Sequence, residues 1–239
     1  MTRIPVRSTW LLCLFITLAP LNGWAAESLR IAVAANFRVV LEQLAPAYQK
    51  ATGNNLTLSS ASTGVLYNQI RHGAPFDVLL AADSATPAAL AEQGLGSSHR
   101  CYALGELVLV GGELDALADP GKSLAIANPA TAPYGRAAEE VLQRPAFAAG
   151  HGRHLVRGNN AVQTWQFWHS GSVELALVPR SLAQEAGIPI PRGWYSPLQQ
   201  DALILQRAAN NPAAEGFLDW LQSPAIQAEL GQAGYGRCP

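Results

Sequence analysis

The sequence predicts an α/β protein built from two lobes, and three observations support this prediction. Short apolar strands alternate with amphipathic helices, which is typical of a mostly parallel sheet flanked by helices. The alternation starts again near Leu104, so a second α/β unit follows the first. One more strand and helix remain at the carboxyl end. The chain is therefore expected to cross between the lobes more than once and to leave a ligand cleft between them.

The elements of the first unit follow from hydrophobic spacing. The first strand ends before Asn36, and apolar residues then recur at helical spacing from Phe37 to Tyr48, with Gly53 ending the helix. Small residues 61–64 open a second helix, and an apolar run precedes a third. The predicted strands are 28–35, 56–60 and 76–81, and the third helix is 85–93.

The second unit shows the same alternation. Its predicted strands are 107–111, 124–127 and 175–178, and its predicted helices are 135–142 and 161–169. A Pro- and Gly-rich stretch, 187–197, is interpreted as a connection. A strand, 202–206, and a last amphipathic helix, 213–221, follow. We therefore predict one lobe from 26–105 plus 198–239 and the other from 106–197.

The first 25 residues are predicted to be a cleaved signal peptide. Arg3 and Arg7 precede an apolar run, 10–21, that is too short to span a bilayer, which needs about 20 residues. Small residues at Gly23 and Ala25 suit a signal-peptidase site, so cleavage is expected after Ala25. The mature protein is expected to be exported to the periplasm in soluble form.

Composition narrows the function classes. With 49% hydrophobic and 14% charged residues, the 239-residue chain is too apolar for a disordered protein. Lys and Arg number 16 against 17 Asp and Glu, so no strong positive field exists to attract nucleic acid. We expect no nucleic-acid partner and a monomer.

Export leaves Cys101 and Cys238 in an oxidising compartment, where pairing is the usual outcome. We expect these two residues to form a disulfide, since the carboxyl-terminal segment should return to the lobe that Cys101 leaves. Two unrelated thiols are the alternative. A metal role is weakly supported, because neither cysteine has a Cys or His at ligand spacing.

Three predicted loop-to-helix junctions offer the chemistry of a small anion site. They contain Asn36, the pair Ser62 and Thr63, and Tyr134. Each combines main-chain N–H groups at a helix start with a hydroxyl or amide donor, and together across a cleft they would bind an anion. The alternative for each junction alone is an ordinary helix cap, since Asn, Ser and Thr are common there.

Four segments, in order along the chain, resemble the molybdate-binding periplasmic proteins of ABC transporters. They are AVAANF (32–37), SASTGVLYNQIRHGAPFDVLLAAD (60–83), ANPATAPYGRAAEEVL (127–142), and VRGNNAVQTW with ELALVP (156–165 and 174–179). The resemblance covers about 29–235 and implies the type II periplasmic-binding-protein fold.

The resemblance also implies the residues that contact the oxyanion. These are Ala35, Asn36, Ser62, Thr63, Tyr134 and Ala161. Two positions depart from the pattern of many members, which have Ser where this chain has Asn36 and Tyr where it has Pro179. Proline has neither a hydroxyl nor an N–H, so we expect the Tyr134 hydroxyl to supply the hydrogen bond that Pro179 cannot make.

The function implied is capture of molybdate, and of tungstate, for import through an inner-membrane ABC permease, without a cofactor and without catalysis. The same fold with another oxyanion such as sulfate, or with a small organic ligand, is the alternative. A secreted hydrolase is the other rival, and its strongest support is an H-x-x-H motif at His151 and His154 whose spacing suits a metal. Neighbouring Glu139 and Glu140 indicate a solvated helix face rather than an acid/base pair.

Overall fold

A computed structural model describes residues 28–239, which form two five-stranded sheets with helices on their faces. The predicted signal peptide lies outside the described residues. Within 28–239, no helix has the length and apolar character needed to cross a bilayer. The strands are β1 (Ser28–Ala34), β2 (Asn55–Ala61), β3 (Val78–Leu80), β4 (Gly96–Gly105), β5 (Leu107–Val110), β6 (Leu124–Ala127), β7 (Leu155–Gly158), β8 (Leu175–Pro179), β9 (Ile188–Pro189) and β10 (Leu198–Leu205). The helices are α1 (Ala35–Thr52), α2 (Thr63–Arg71), α3 (Ala85–Glu92), α4 (Pro133–Leu142), α5 (Ala161–His169), α6 (Arg180–Ala183), α7 (Pro212–Leu221) and α8 (Pro224–Gln232).

The first sheet has the strand order β2-β1-β3-β10-β4. β1 runs parallel to β2, from Ser28 opposite Asn55 to Ala34 opposite Ala61, and parallel to β3. Because β1 and β2 end at the same edge, the helices that follow them, α1 and α2, begin side by side. This edge of the sheet faces the other lobe.

The second sheet repeats the arrangement in the order β7-β6-β8-β5-β9. β6 is parallel to β7 and β8, and the chain continues from β6 into α4 and from β7 into α5. These two helices therefore also begin at one edge of their sheet. Ligands of α/β sheets bind at such carboxyl edges.

Two adjacent strands carry the chain between the sheets. β4 leads from the first sheet into β5 through Glu106, and β10 returns, with Leu198 opposite Gly105 and Gln200 opposite Ala103. In the first sheet β10 is antiparallel to both β3 and β4, and in the second sheet β5 is antiparallel to both β8 and β9. Each sheet is therefore mixed rather than uniformly parallel. The predicted two-lobed α/β fold is confirmed, and the parallel ladders lie beside the helices that face the cleft. The residue bounds of the two lobes remain a prediction.

Five of these strands and helices were not predicted: β4, β7, β9, α6 and α8. β4 was missed because its early part is only half-buried and its sequence GSSHRCYALG has four consecutive polar residues, 97–100, in place of a continuous apolar run. β7 has only four residues. α8 follows α7, so the prediction that 213–221 is the last helix was wrong.

The carboxyl terminus is tied to the outgoing strand β4. Cys101 and Cys238 form a disulfide with a Cα–Cα distance of 6.0 Å, which confirms the predicted pair. Leu104 and Gly236 exchange two main-chain hydrogen bonds of 2.8 Å beside it. The tail therefore closes the chain onto the first lobe, next to the crossing strands.

Candidate functional site

Four helix N-termini meet at one small cavity between the two lobes. α1 and α2 come from the first lobe, and α4 and α5 come from the second. The cavity is lined by Ala34, Ala35, Asn36, Ser62, Thr63, Ala82, Ala132, Pro133, Tyr134 and Ala161. The structure thus brings together all six residues that the sequence predicted for the site.

The cavity is buried and carries no charged lining residue among residues 28–239. Its six predicted site residues are between 1% and 6% exposed. Each belongs to the first turn of a helix or immediately precedes it, where main-chain N–H groups lack partners within the helix. The helix dipoles place partial positive charge at the same point. The arrangement is chemically suited to a small anion.

Ser62 and Thr63 offer two hydroxyl donors from the first lobe. The Thr63 Oγ1 accepts the N–H of Ala82 at 3.0 Å, so its own hydrogen is available for another acceptor. The Ser62 Oγ is buried without any hydrogen-bond partner in the described chain. A buried hydroxyl without a partner is costly in a folded protein, so Ser62 is a strong candidate to contact a ligand.

Tyr134 offers a phenolic donor from the second lobe. Its oxygen accepts a hydrogen bond from the Gln200 Nε2 at 3.1 Å, and the described residues provide no acceptor for its hydrogen. Burial raises the pKa of the Tyr134 hydroxyl well above its usual value, and nearby Tyr235 and Tyr195 raise it further. The hydroxyl therefore keeps its proton near neutral pH and can donate it to a bound anion.

The side-chain amide of Asn36 was expected to donate to the anion, but it donates to other side chains of the protein. Its Nδ2 donates to the Gln200 Oε1 at 3.0 Å and to the Tyr235 hydroxyl oxygen at 3.3 Å. Both amide hydrogens thus have protein acceptors, which leaves the main-chain N–H of Asn36 for the cavity. Ala35 and Ala161 can likewise contribute only main-chain N–H groups, at the first positions of α1 and α5.

The lobes are in contact around the cavity. Arg136 of α4 forms a salt bridge of 2.6 Å with Asp83, and the Gly64 N–H donates to the Thr131 carbonyl at 2.8 Å. A Cβ atom on Gly64 would lie only 3.1 Å from the Thr131 main chain, which explains the glycine at this close approach. The described conformation is therefore closed.

Pro179 does not line the cavity, and the turn after it serves a different purpose. The next helix, α6, places Ser181 so that its hydroxyl donates to the Asn36 carbonyl at 3.3 Å and lies 3.0 Å from the Tyr235 hydroxyl. This turn of the second lobe thus contacts the α1 N-terminus of the first.

Two residues near the cavity were missed by the sequence analysis, Gly105 and Gln200. A Cβ on Gly105 would lie 2.2 Å from the Tyr134 hydroxyl and 2.6 Å from the Gln200 Nε2. Gln200 is fully buried and bonds to both Tyr134 and Asn36. A signal existed, because three consecutive polar residues, 199–201, interrupt the otherwise apolar strand LQQDALIL.

The features that favoured an enzyme have structural explanations. Among residues 28–239, no group of three or more His, Cys, Asp or Glu side chains could hold a metal, and His151 instead contacts the Leu142 carbonyl at 3.2 Å. Glu140 accepts the main-chain N–H of Ser196 at 2.5 Å. This contact fixes α4 to the segment that leads back to the first lobe.

Comparisons with known proteins agree with this architecture. Residues 29–236 match the family model of the bacterial extracellular solute-binding proteins. The molybdate-binding protein ModA of Azotobacter vinelandii is 37% identical, over 88% of this chain and 90% of its own length. ModA of Rhodobacter capsulatus is 34% identical, over 88% and 89%.

A solved structure shows the same fold. The periplasmic molybdate-binding protein of Azotobacter vinelandii superimposes with a TM-score of 0.80 at 32% identity, over 88% of this chain and all of that one. The two-lobed architecture, the shared cleft and the extent of these matches lead to one assignment. The chain belongs to the bacterial extracellular solute-binding proteins, in the group that includes the ModA proteins.

Proposed function

We propose that this protein captures molybdate, and also tungstate, in the periplasm and delivers it to an inner-membrane ABC permease for import. The observation that carries the proposal is the convergence of four helix N-termini and three hydroxyl groups on one buried, uncharged cavity. Relatives named as molybdate-binding proteins, alike over most of their length, support the choice of anion.

Neutral donors suffice for this task. Inside a closed cleft, fixed N–H and O–H groups replace the hydrogen bonds that water gives to the anion, and hydrogen bonds to a charged group are stronger than neutral ones. The helix ends contribute partial positive charge without a lysine or arginine. Binding should draw the lobes together, because donors of both lobes contact the same ligand.

A cavity of donors also selects the protonation state of its ligand. Monohydrogen phosphate carries an O–H that needs an acceptor, and leaving it unpaired costs about 1–3 kcal/mol. Molybdate, tungstate and sulfate carry no such proton. Sulfate therefore differs from molybdate in size alone, and it belongs in every test of the site.

Alternative ligands such as amino acids would not find in this cavity the charged side chains that usually bind them. An amino acid would need a cationic partner for its carboxylate and an anionic one for its amine, and no Arg, Asp or Glu lines the cavity within 28–239. The relatives are binding proteins by name, which favours transport over catalysis. We therefore propose a binding role with no reaction and no cofactor.

The direct experiment is calorimetry and thermal unfolding on mature protein stripped of endogenous ligand. We expect molybdate and tungstate to bind and to raise the melting temperature by mass action, at about 2.7 kcal/mol for ligand at 100 times its Kd. Phosphate should give little or no shift. A shift from phosphate as large as that from molybdate would contradict the all-donor site, and binding of sulfate alone would reassign the ligand.

Tyr134→Phe tests the phenolic donor. The change keeps the ring and removes one hydrogen bond to a charged ligand, worth about 1.5–3 kcal/mol. We expect the molybdate Kd measured by calorimetry to rise at least about tenfold.

The matched control for Tyr134→Phe is Tyr67→Phe. The Tyr67 hydroxyl accepts a hydrogen bond from Gln93 at 3.1 Å and does not line the cavity. It should leave the Kd unchanged. Unchanged affinity in Tyr134→Phe as well would show that Tyr134 only packs against the ligand site.

A further inference from the structure

We propose that Gln200 is a positioning residue whose amide N–H turns the Tyr134 hydroxyl hydrogen toward the bound anion and so sets the preference for unprotonated oxyanions. The inference rests on the proposed function and deepens it. Gln200 does not line the cavity; it acts through Tyr134.

Gln200 lies at the centre of a buried network. It is fully buried in β10, one of the two strands that cross between the lobes. Its Nε2 donates to the Tyr134 oxygen at 3.1 Å, and its Oε1 accepts from the Asn36 Nδ2 at 3.0 Å. The Gln200 Oε1 also lies 3.0 Å from the Tyr102 hydroxyl, whose one hydrogen is shared with the Ala81 carbonyl at 2.9 Å. One amide thus connects the first-lobe and second-lobe sides of the site.

The Tyr235 hydroxyl determines which groups of this network donate hydrogen bonds and which accept them. The one hydrogen of the Tyr235 hydroxyl can be donated to the Asn36 carbonyl at 2.9 Å or to the Ser181 Oγ at 3.0 Å, and in both cases the Tyr235 oxygen is left to accept the Asn36 Nδ2. This contact orients the Asn36 amide with its nitrogen inward, where only a carbonyl oxygen of Gln200 can accept. The nitrogen of the Gln200 amide must then face Tyr134.

This direction determines what Tyr134 can offer. Because its oxygen already accepts the Gln200 N–H, its hydrogen remains to be donated into the cavity, and the in-plane acceptor position of the phenol oxygen, which a protonated ligand would need, is taken. A ligand with an O–H group therefore finds a donor where it needs an acceptor. Gln200 thus controls selectivity, whereas Tyr134 supplies the contact.

The test measures the molybdate and phosphate Kd values of the mature protein carrying Gln200→Met. Without the N–H, the Tyr134 hydroxyl can rotate and present its lone pair, so phosphate gains an acceptor while molybdate loses an aligned donor. We expect the ratio of phosphate Kd to molybdate Kd to fall at least about tenfold, the effect of one hydrogen bond. Gln199→Met, at the neighbouring position outside the cavity, should leave the ratio unchanged.

A second variant covers the case in which Gln200→Met fails to fold. Gln200→Leu also lacks the N–H, and its shorter, branched side chain packs differently from Met. The ratio should fall in the same direction. A mere loss of packing would instead weaken both anions equally and leave the ratio intact.

The double variant Tyr134→Phe/Gln200→Met isolates the route of the effect. If Gln200 acts through Tyr134, the change in ratio caused by Gln200→Met should disappear when the hydroxyl is absent. An unchanged ratio in Gln200→Met, with tight molybdate binding by the parent, would overturn this inference and leave the proposed function standing. A parent that binds no molybdate would overturn both.

Discussion

The double variant Cys101→Ser/Cys238→Ser is expected to lose about 5 kcal/mol of unfolding free energy. The disulfide joins residues 137 positions apart, and in the chain-entropy model a loop of that size restricts the unfolded chain by about this amount. For a protein of this size, the loss corresponds to a melting temperature lower by about 10–20 °C.

Differential scanning calorimetry of the double variant and of the parent measures this loss. The parent treated with a reductant is the matched control, and it should reproduce the destabilisation. Molybdate affinity below the melting range should change little, because neither cysteine lines the cavity. A drop in melting temperature of less than about 3 °C would show that the unfolded chain is already compact or that strain offsets the entropy.

Gly105→Ala should abolish tight molybdate binding. The new Cβ would lie 2.2 Å from the Tyr134 hydroxyl, far inside van der Waals distance, so the start of α4 must move away from the crossing strands. The site is then deprived of the Tyr134 hydrogen bond and of the alignment of one helix N-terminus. Together these two effects amount to about 3–4 kcal/mol, which raises the Kd by about 100-fold to 1,000-fold.

Titration calorimetry on Gly105→Ala and on Gly193→Ala gives the comparison. Gly193 lies in the segment that leads back to the first lobe, and a Cβ there meets no atom within 4 Å. Its variant should bind as the parent does. If Gly105→Ala keeps full affinity, the position of the Tyr134 hydroxyl beside the crossing strands does not contribute to molybdate binding.

The parts of the fold that could be predicted are those specified locally. β1, α1, β6 and α4 have apolar residues at strand or helix spacing, and their burial follows that pattern. β4 was missed because its burial depends on β10, almost 100 residues away, rather than on its own sequence. The crossing strands are the elements for which local pattern says least.

The site likewise has residues that the local sequence specifies and residues whose role depends on distant parts of the chain. Asn36, Thr63 and Tyr134 could be predicted, because helix starts have recognisable residues and the family pattern orders them along the chain. The hydrogen bonds of the Asn36 amide and the role of Gln200 could not, since the bond between these two side chains joins residues 164 positions apart. Which donor faces a ligand is decided by tertiary partners.

The position of β10 within the first sheet also has a consequence for the order of folding. This strand lies between β3 and β4, so the first sheet is incomplete until the chain is available up to residue 205, whereas all strands of the second sheet come from 107–189. The middle of the chain can thus fold as a unit while the first lobe still waits for its inner strand. Until then, two early strands, β3 and β4, each keep an open edge that β10 covers in the folded sheet. The pairing of residues 198–205 is therefore the step that ends the exposure of these edges to aggregation.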